Sequence, residues 1–214
     1  MNQQEKQVVY KTTNTYTTLN TLSNTTKNVW IVFHGIGYLS TYFLKYFDEL
    51  PPEENYIIAP QAPSKYYLNN AYRHVGASWL TKENTITETE NIISYLEAVY
   101  RAENITQQYK LIVFGFSQGV SIASRWVAKK QLKCDQLVLY AGGLPNELTA
   151  SDFKFLEANN TEVTILVGNS DKYLTEKRRQ TESKKIKTLF HDRAEQLVFD
   201  GGHEVKKELI NSLV

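Results

Sequence analysis

Short, uninterrupted apolar runs rich in β-branched residues recur along the chain: NVWIVFHG from Asn28, NYIIAP from Asn55, KLIVFGFS from Lys110, DQLVLYAGG from Asp135, EVTILVG from Glu162 and EQLVFDGG from Glu195. Successive positions in each run are apolar rather than alternating with polar ones, the pattern of strands buried on both faces of a parallel sheet. Between the runs, longer mixed stretches predict helices over Thr41 to Leu50, Asn84 to Ala102, Gln118 to Lys130, Thr149 to Ala158, Thr175 to Phe190 and Glu204 to Leu213. In the second of these, Ile86, Ile92, Ile93, Leu96 and Tyr100 recur with a helical period and define one apolar face. Strand and helix alternate, which predicts a doubly wound, mostly parallel α/β sheet flanked by helices. The opening VVYKTTNTYTTL alternates loosely and is threonine-rich, predicting one or two antiparallel edge strands. Such sheets bind ligands beyond the carboxyl ends of their strands, so chemistry is expected just after each run.

Composition narrows the picture. With 214 residues, 42% of them apolar, the chain suits a single domain spanning residues 1–214. Lysine and arginine number 24 against 23 acids, leaving no large positive field with which to hold nucleic acid or anionic lipid. The opening MNQQEKQVVY lacks a signal peptide's apolar run, and no stretch is long and apolar enough for stable membrane insertion, so a cytoplasmic protein is expected. The single cysteine, Cys134, cannot form an internal disulfide and reads as a small buried hydrophobe.

Gly115-Phe116-Ser117-Gln118-Gly119 places a serine between two glycines where a predicted strand meets a predicted helix. A serine on so tight a turn leaves no room for a β-carbon two residues to either side, and its hydroxyl projects above the sheet. A serine hydroxyl needs a base to become a nucleophile, and the base needs an orienting carboxylate. The chain order serine, acid, histidine selects His203, which follows FDGG at the tip of the last strand; His191 ends a lysine-rich helix and reads as a solvated cation. Asp171, in VGNSDKYL after the preceding strand, meets both order and position, while Asp200 competes from the same strand end as His203. For the oxyanion of acyl transfer, the peptide N–H groups of Ile36, in FHGIGYLS, and Gln118 are the candidate donors. His34 precedes the serine and reads as a loop brace rather than a base. The irregular connection from Pro60 to Trp79 carries Tyr66, Tyr67, Leu68 and Tyr72, an aromatic wall for an acyl or aryl group, with Arg73 beside them.

FHGIG, APQAP, GASW, GFSQG, AGGLP, GNSD and GGH occur in this order, and with them the chain resembles the phospholipase/carboxylesterase family of α/β-hydrolases, which includes acyl-protein thioesterases. The resemblance covers roughly Trp30 to the C-terminus. It implies an α/β-hydrolase fold, Ser117 as nucleophile with Asp171 and His203, oxyanion donors at Ile36 and Gln118, and Trp79 of GASW at the border of the substrate groove. The chain departs from the family pattern at Tyr38, where an aspartate is usual, at Val120, where a second glycine is common, and after Asp171, where Lys172 to Thr175 replace a Val-Pro pair.

The expected activity is hydrolysis of small carboxylic esters with short to medium acyl chains, through an acyl-enzyme. The histidines lack the local spacing of a zinc site, so no metal or organic cofactor is called for. An acyl-protein thioesterase or lysophospholipase is the alternative within hydrolases. From another class comes a noncatalytic binding module on the same scaffold, which a serine-directed probe distinguishes. The sequence leaves the oligomeric state open.

Overall fold

The computed structural model describes residues 2–214. Strands β1 (Tyr16–Leu19), β2 (Asn28–Phe33), β3 (Asn55–Pro60), β6 (Lys110–Phe116), β7 (Gln136–Tyr140), β8 (Glu162–Gly168) and β9 (Ala194–Phe199) form a sheet in the order β1-β3-β2-β6-β7-β8-β9. All its pairings are parallel except that of β1, which closes one edge antiparallel to β3. The helices are α1 (Ser40–Phe43), α2 (Thr85–Glu103), α3 (Gln118–Lys130), α4 (Phe155–Ala158), α5 (Glu176–Phe190) and α6 (Lys207–Asn211). Among the described residues, no helix is long and apolar enough to cross a membrane.

Every residue of β2, β3 and β7 is buried. Alternate side chains of β2 divide between two cores, as the two-residue period of a strand requires. Val29, Ile31 and Phe33 join Trp79, Trp126 and the α2 face on one side, while Trp30 and Val32 join Phe43, Phe47 and Phe114 on the other. Phe33 holds both tryptophans edge-on, with ring centroids 5.6 Å from Trp79 and 5.8 Å from Trp126.

Several expectations are corrected. β9 is not a buried strand: it is the far edge of the sheet, and Val198 is 66% exposed. The predicted helix at Thr41 to Leu50 is one α turn followed by a 3-10 turn at Leu44–Tyr46, and that at Thr149 to Ala158 is a 3-10 turn at Ala150–Phe153 followed by α4. Thr149 and Asp152 cap the latter reciprocally. At the opening, one of the expected one or two antiparallel edge strands forms, as β1, while Val8, Val9 and Tyr10 lie exposed outside any strand. The connection from Pro60 to Trp79 contains a hairpin, β4 (Ser64–Tyr67) paired with β5 (Val75–Ser78). Ile86 is 79% exposed, because the first turn of α2 stands clear of the sheet and burial begins at Thr89.

Ile86→Ser is therefore expected to change stability by less than about 0.5 kcal/mol. Ile92→Ala, at a fully packed position of the same helix, is expected to cost about 2–5 kcal/mol, both read from urea denaturation midpoints.

Candidate active site

Ser117 joins β6 to α3 with φ 54° and ψ −115°, a conformation unfavourable for a residue with a β-carbon. Its surroundings enforce it. A β-carbon on Gly119 would stand 2.0 Å from the carbonyl oxygen of Phe33, and one on Gly115 would stand 2.5 Å from that of Gly119. The Ser117 N–H donates to the carbonyl of Tyr140 at 2.9 Å, tying the turn to the neighbouring strand. The turn is thus clamped on both sides by backbone.

Two later loops meet at this serine. The Nε2 of His203 lies 2.9 Å from Ser117 Oγ, and its Nδ1 lies 2.7 Å from Asp171 Oδ2. Because the carboxylate accepts, Nδ1 carries the ring proton and Nε2 is free to accept the serine proton. Asp171 is buried, and its other oxygen accepts the N–H of Tyr173 at 2.8 Å. The imidazole packs on Phe116 and against the edge of Tyr173, with centroids 5.2 and 4.8 Å away. Asp200, the competing acid, instead accepts from Asn169 Nδ2 at 3.2 Å.

The loops carrying Asp171 and His203 are stitched together along their backbones. Asn169 N–H donates to Phe199 O and Ser170 N–H to Gly201 O, each at 2.9 Å. Gly168 permits this approach, since a β-carbon there would stand 2.4 Å from Gly202 O and 2.5 Å from Gly201 O.

On the opposite side, the N–H groups of Ile36 and Gln118 have no acceptor among the described residues, while the N–H of Gly37, the residue after Ile36, is committed to Ala77 O at 2.8 Å. Gly35 lies close beneath this segment, where a β-carbon would meet Ser117 Cβ at 3.1 Å. His34 acts as the expected brace. Buried, it donates from Nδ1 to Gly35 O at 2.8 Å and accepts the Ala62 N–H at Nε2, 3.2 Å away. Burial lowers its pKa to about 4, so the ring is neutral in this role. The side chain of Gln118 has a second task that sequence reasoning missed: it accepts from Trp79 N–H at 2.8 Å and donates to Leu80 O at 2.7 Å, fixing that loop to the start of α3.

Ser117, Asp171, His203, Ile36 and Gln118 all border one cavity of about 710 Å³. Its wall differs from the expected one. Trp79 is 1% exposed and lies behind the site, its Nε1 donating to His34 O at 2.9 Å; it does not border the cavity. Tyr66, Tyr67 and Tyr72 are exposed on the β4–β5 segment outside the lining, as is Arg73. The wall is built instead by Tyr38, Phe116, Tyr173 and Leu174, with Ile165, Val167, Ile186 and Val198 extending it between β8, β9 and α5. Leu174 and Tyr173 had a readable signal, their adjacency to Asp171. Ile186 and Val198 had none.

A strand-to-helix serine in a mostly parallel sheet, met by histidine and aspartate from loops after later strands, defines an α/β-hydrolase. The phospholipase/carboxylesterase family model matches residues 14–214, and the chain belongs to that family, a hydrolase of the carboxylesterase and thioesterase type. The fold is similar to that of Zea mays acyl-protein thioesterase 2, with TM-score 0.69 at 16% identity over 94% of this chain and 96% of that one. It is also similar to a phospholipase/carboxylesterase from Dyadobacter fermentans, with TM-score 0.63 at 21% identity over 95% and 97% of the two chains. The Bacillus cereus carboxylesterase gives TM-score 0.65 at 16% identity over 94% and 91%. No curated protein matches the sequence significantly.

The neutral His34 links stability to pH. Its folded-state pKa of about 4 lies below its ordinary 6.5, so the unfolded chain binds more protons in between. The stabilisation is complete above pH 6.5 and is lost as pH falls toward 4. Over that interval the unmodified chain is expected to lose on the order of 3 kcal/mol more stability than His34→Gln, measured by urea denaturation at stepped pH.

Proposed function

We propose that the protein is a serine esterase hydrolysing small carboxylic esters with short to medium acyl chains. The observation that carries this reading is the continuous relay from Asp171 Oδ2 through His203 to Ser117 Oγ, with spacings of 2.7 and 2.9 Å. In it, Ser117 Oγ attacks the ester carbonyl while its proton passes to His203 Nε2. The imidazolium so formed is stabilised by Asp171, and the oxyanion is received by the N–H groups of Ile36 and Gln118, which have no acceptor among the described residues. His203 then protonates the departing alkoxide, leaving Ser117 acylated. Water, deprotonated by the same nitrogen, attacks the acyl-enzyme and regenerates the serine.

The cavity supports a small substrate: its volume of about 710 Å³ suits a compact ester. In this reading the chain works as one domain, because Ile36 and His203, from early and late in the sequence, border the same cavity.

Ser117→Ala is expected to lower kcat/KM for p-nitrophenyl butyrate by at least about a thousandfold and to abolish labelling by a fluorophosphonate. Asp171→Asn is expected to lower kcat by about a hundredfold or more, through the wrong imidazole tautomer. Equal hydrolysis by the Ser117→Ala chain, or an unlabelled serine in the folded protein, refutes the assignment. Parallel assays with butyryl thioesters and p-nitrophenyl esters of increasing length measure the preference between sulfur and oxygen leaving groups and the acyl limit.

A further inference from the structure

α5 walls one side of the cavity. Its buried residues are Ile186, Leu189 and Phe190, all in its C-terminal half. The N-terminal half therefore stands off the sheet, and the cavity lies against it, lined by Arg178, Arg179 and Glu182.

The charges on this wall are unequally satisfied. Glu182 Oε2 accepts the Leu144 N–H at 2.9 Å, and its Oε1 lies 3.1 Å from Lys185 Nζ. Asp171 is engaged by His203 and by Tyr173 N–H. Neither Arg178 nor Arg179 forms an ion pair among the described residues, whereas Arg125 and Arg193 pair with Glu147 and Glu157. Arg178 donates from Nη1 to Tyr173 O at 3.3 Å. Its Nη2 lies 3.1 Å from where a β-carbon of Gly143 would stand, and the adjacent Gly142 presses on the Ser117 carbonyl, 2.3 Å from its own would-be β-carbon. One guanidinium thus flanks the segment that abuts the serine, with most of its donors uncommitted.

We propose that the preferred substrate is an ester bearing a carboxylate, held by Arg178 and Arg179 at the mouth of the cavity while its apolar part lies along Val167, Val198 and Ile186. The inference rests on the esterase reading and narrows it to a substrate class. A guanidinium keeps its charge at any working pH and offers a planar fork of N–H donors that matches a carboxylate. The acids beside it are held by partners of their own, Glu182 by Leu144 N–H and Lys185, and Asp171 by His203 and Tyr173 N–H, and neither pairs with the arginines, so the guanidinium donors stay free for an anion. A neutral ester leaves both forks to water.

The test compares kcat/KM for two matched pairs at low ionic strength. With the carboxylate on the acyl side, the mono-p-nitrophenyl ester of glutaric acid is set against p-nitrophenyl pentanoate. With it on the leaving group, 4-acetoxybenzoate is set against its methyl ester. In at least one pair the anionic member is expected to be preferred by about fivefold or more, and the pair that responds identifies the side of the ester facing the arginines. The ratio is expected to collapse toward one in the Arg178→Gln, Arg179→Gln double variant and to fall as sodium chloride is raised. It is expected to persist in Lys187→Gln, which removes a positive charge from the same helix outside the cavity lining. Turnover of the neutral esters without an anionic preference in either pair overturns this proposal and leaves the esterase reading standing, as does a preference insensitive to salt and to the double variant. Failure of all four esters overturns the esterase reading and this inference with it.

Discussion

The structure depends on one strained residue. Ser117 occupies a backbone conformation that its own β-carbon disfavours, and it stays there because two glycines let neighbouring chain segments close around it. Neither glycine can gain a methyl group without striking a carbonyl oxygen. The clamp does more than present a hydroxyl. It orients the first N–H of α3 toward the space above the sheet, and it anchors the serine to the carbonyl of Tyr140, so that the end of β7 and the following Gly142 are held in register with it.

The other half of the site uses a different device. Asp171 and His203 come from separate loops, and nothing in their immediate sequences obliges them to meet. What joins them is close backbone packing at Gly168, with hydrogen bonds from Asn169 and Ser170 reaching across to Phe199 and Gly201. Carboxylate and imidazole are then within reach without either loop being long. The aromatic rings of Phe116 and Tyr173 hold the imidazole plane. His34 solves a related problem on the oxyanion side by remaining neutral: it accepts the Ala62 N–H, which has no other partner among the described residues, and donates to Gly35 O, which also accepts the Tyr38 N–H.

Much of this was legible in the residues. Strand positions could be read because runs buried on both faces carry apolar residues at every position, and the serine, aspartate and histidine stand out because they follow such runs beside glycine. The cavity wall was harder. The first half of α5 reads as an ordinary solvated helix, since EKRRQTESKK gives no sign that one side of it faces an enclosed space. Val198 looks like a core residue in a buried strand, and only the strand order shows that β9 has no neighbour beyond it. Aromatic character points the tyrosines of this segment to the groove, and the family resemblance points Trp79 there; neither signal tells a ring that lines a cavity from one packed behind it or lying outside on the surface. Ile86 illustrates the same limit in a helix: the period identifies a face, and the position of the sheet decides where along the helix that face begins to be covered.

The placement of β9 has a consequence for how the protein fails. The imidazole hangs from an exposed edge strand of the sheet, whereas all three tryptophans sit in the interior beside its central strands. Fraying of that margin, from β9 through α6, disconnects the relay while the indole environments persist. On mild heating, chemical turnover should accordingly fade before tryptophan fluorescence reports any loss of native packing, and should return on cooling as long as the interior has not opened.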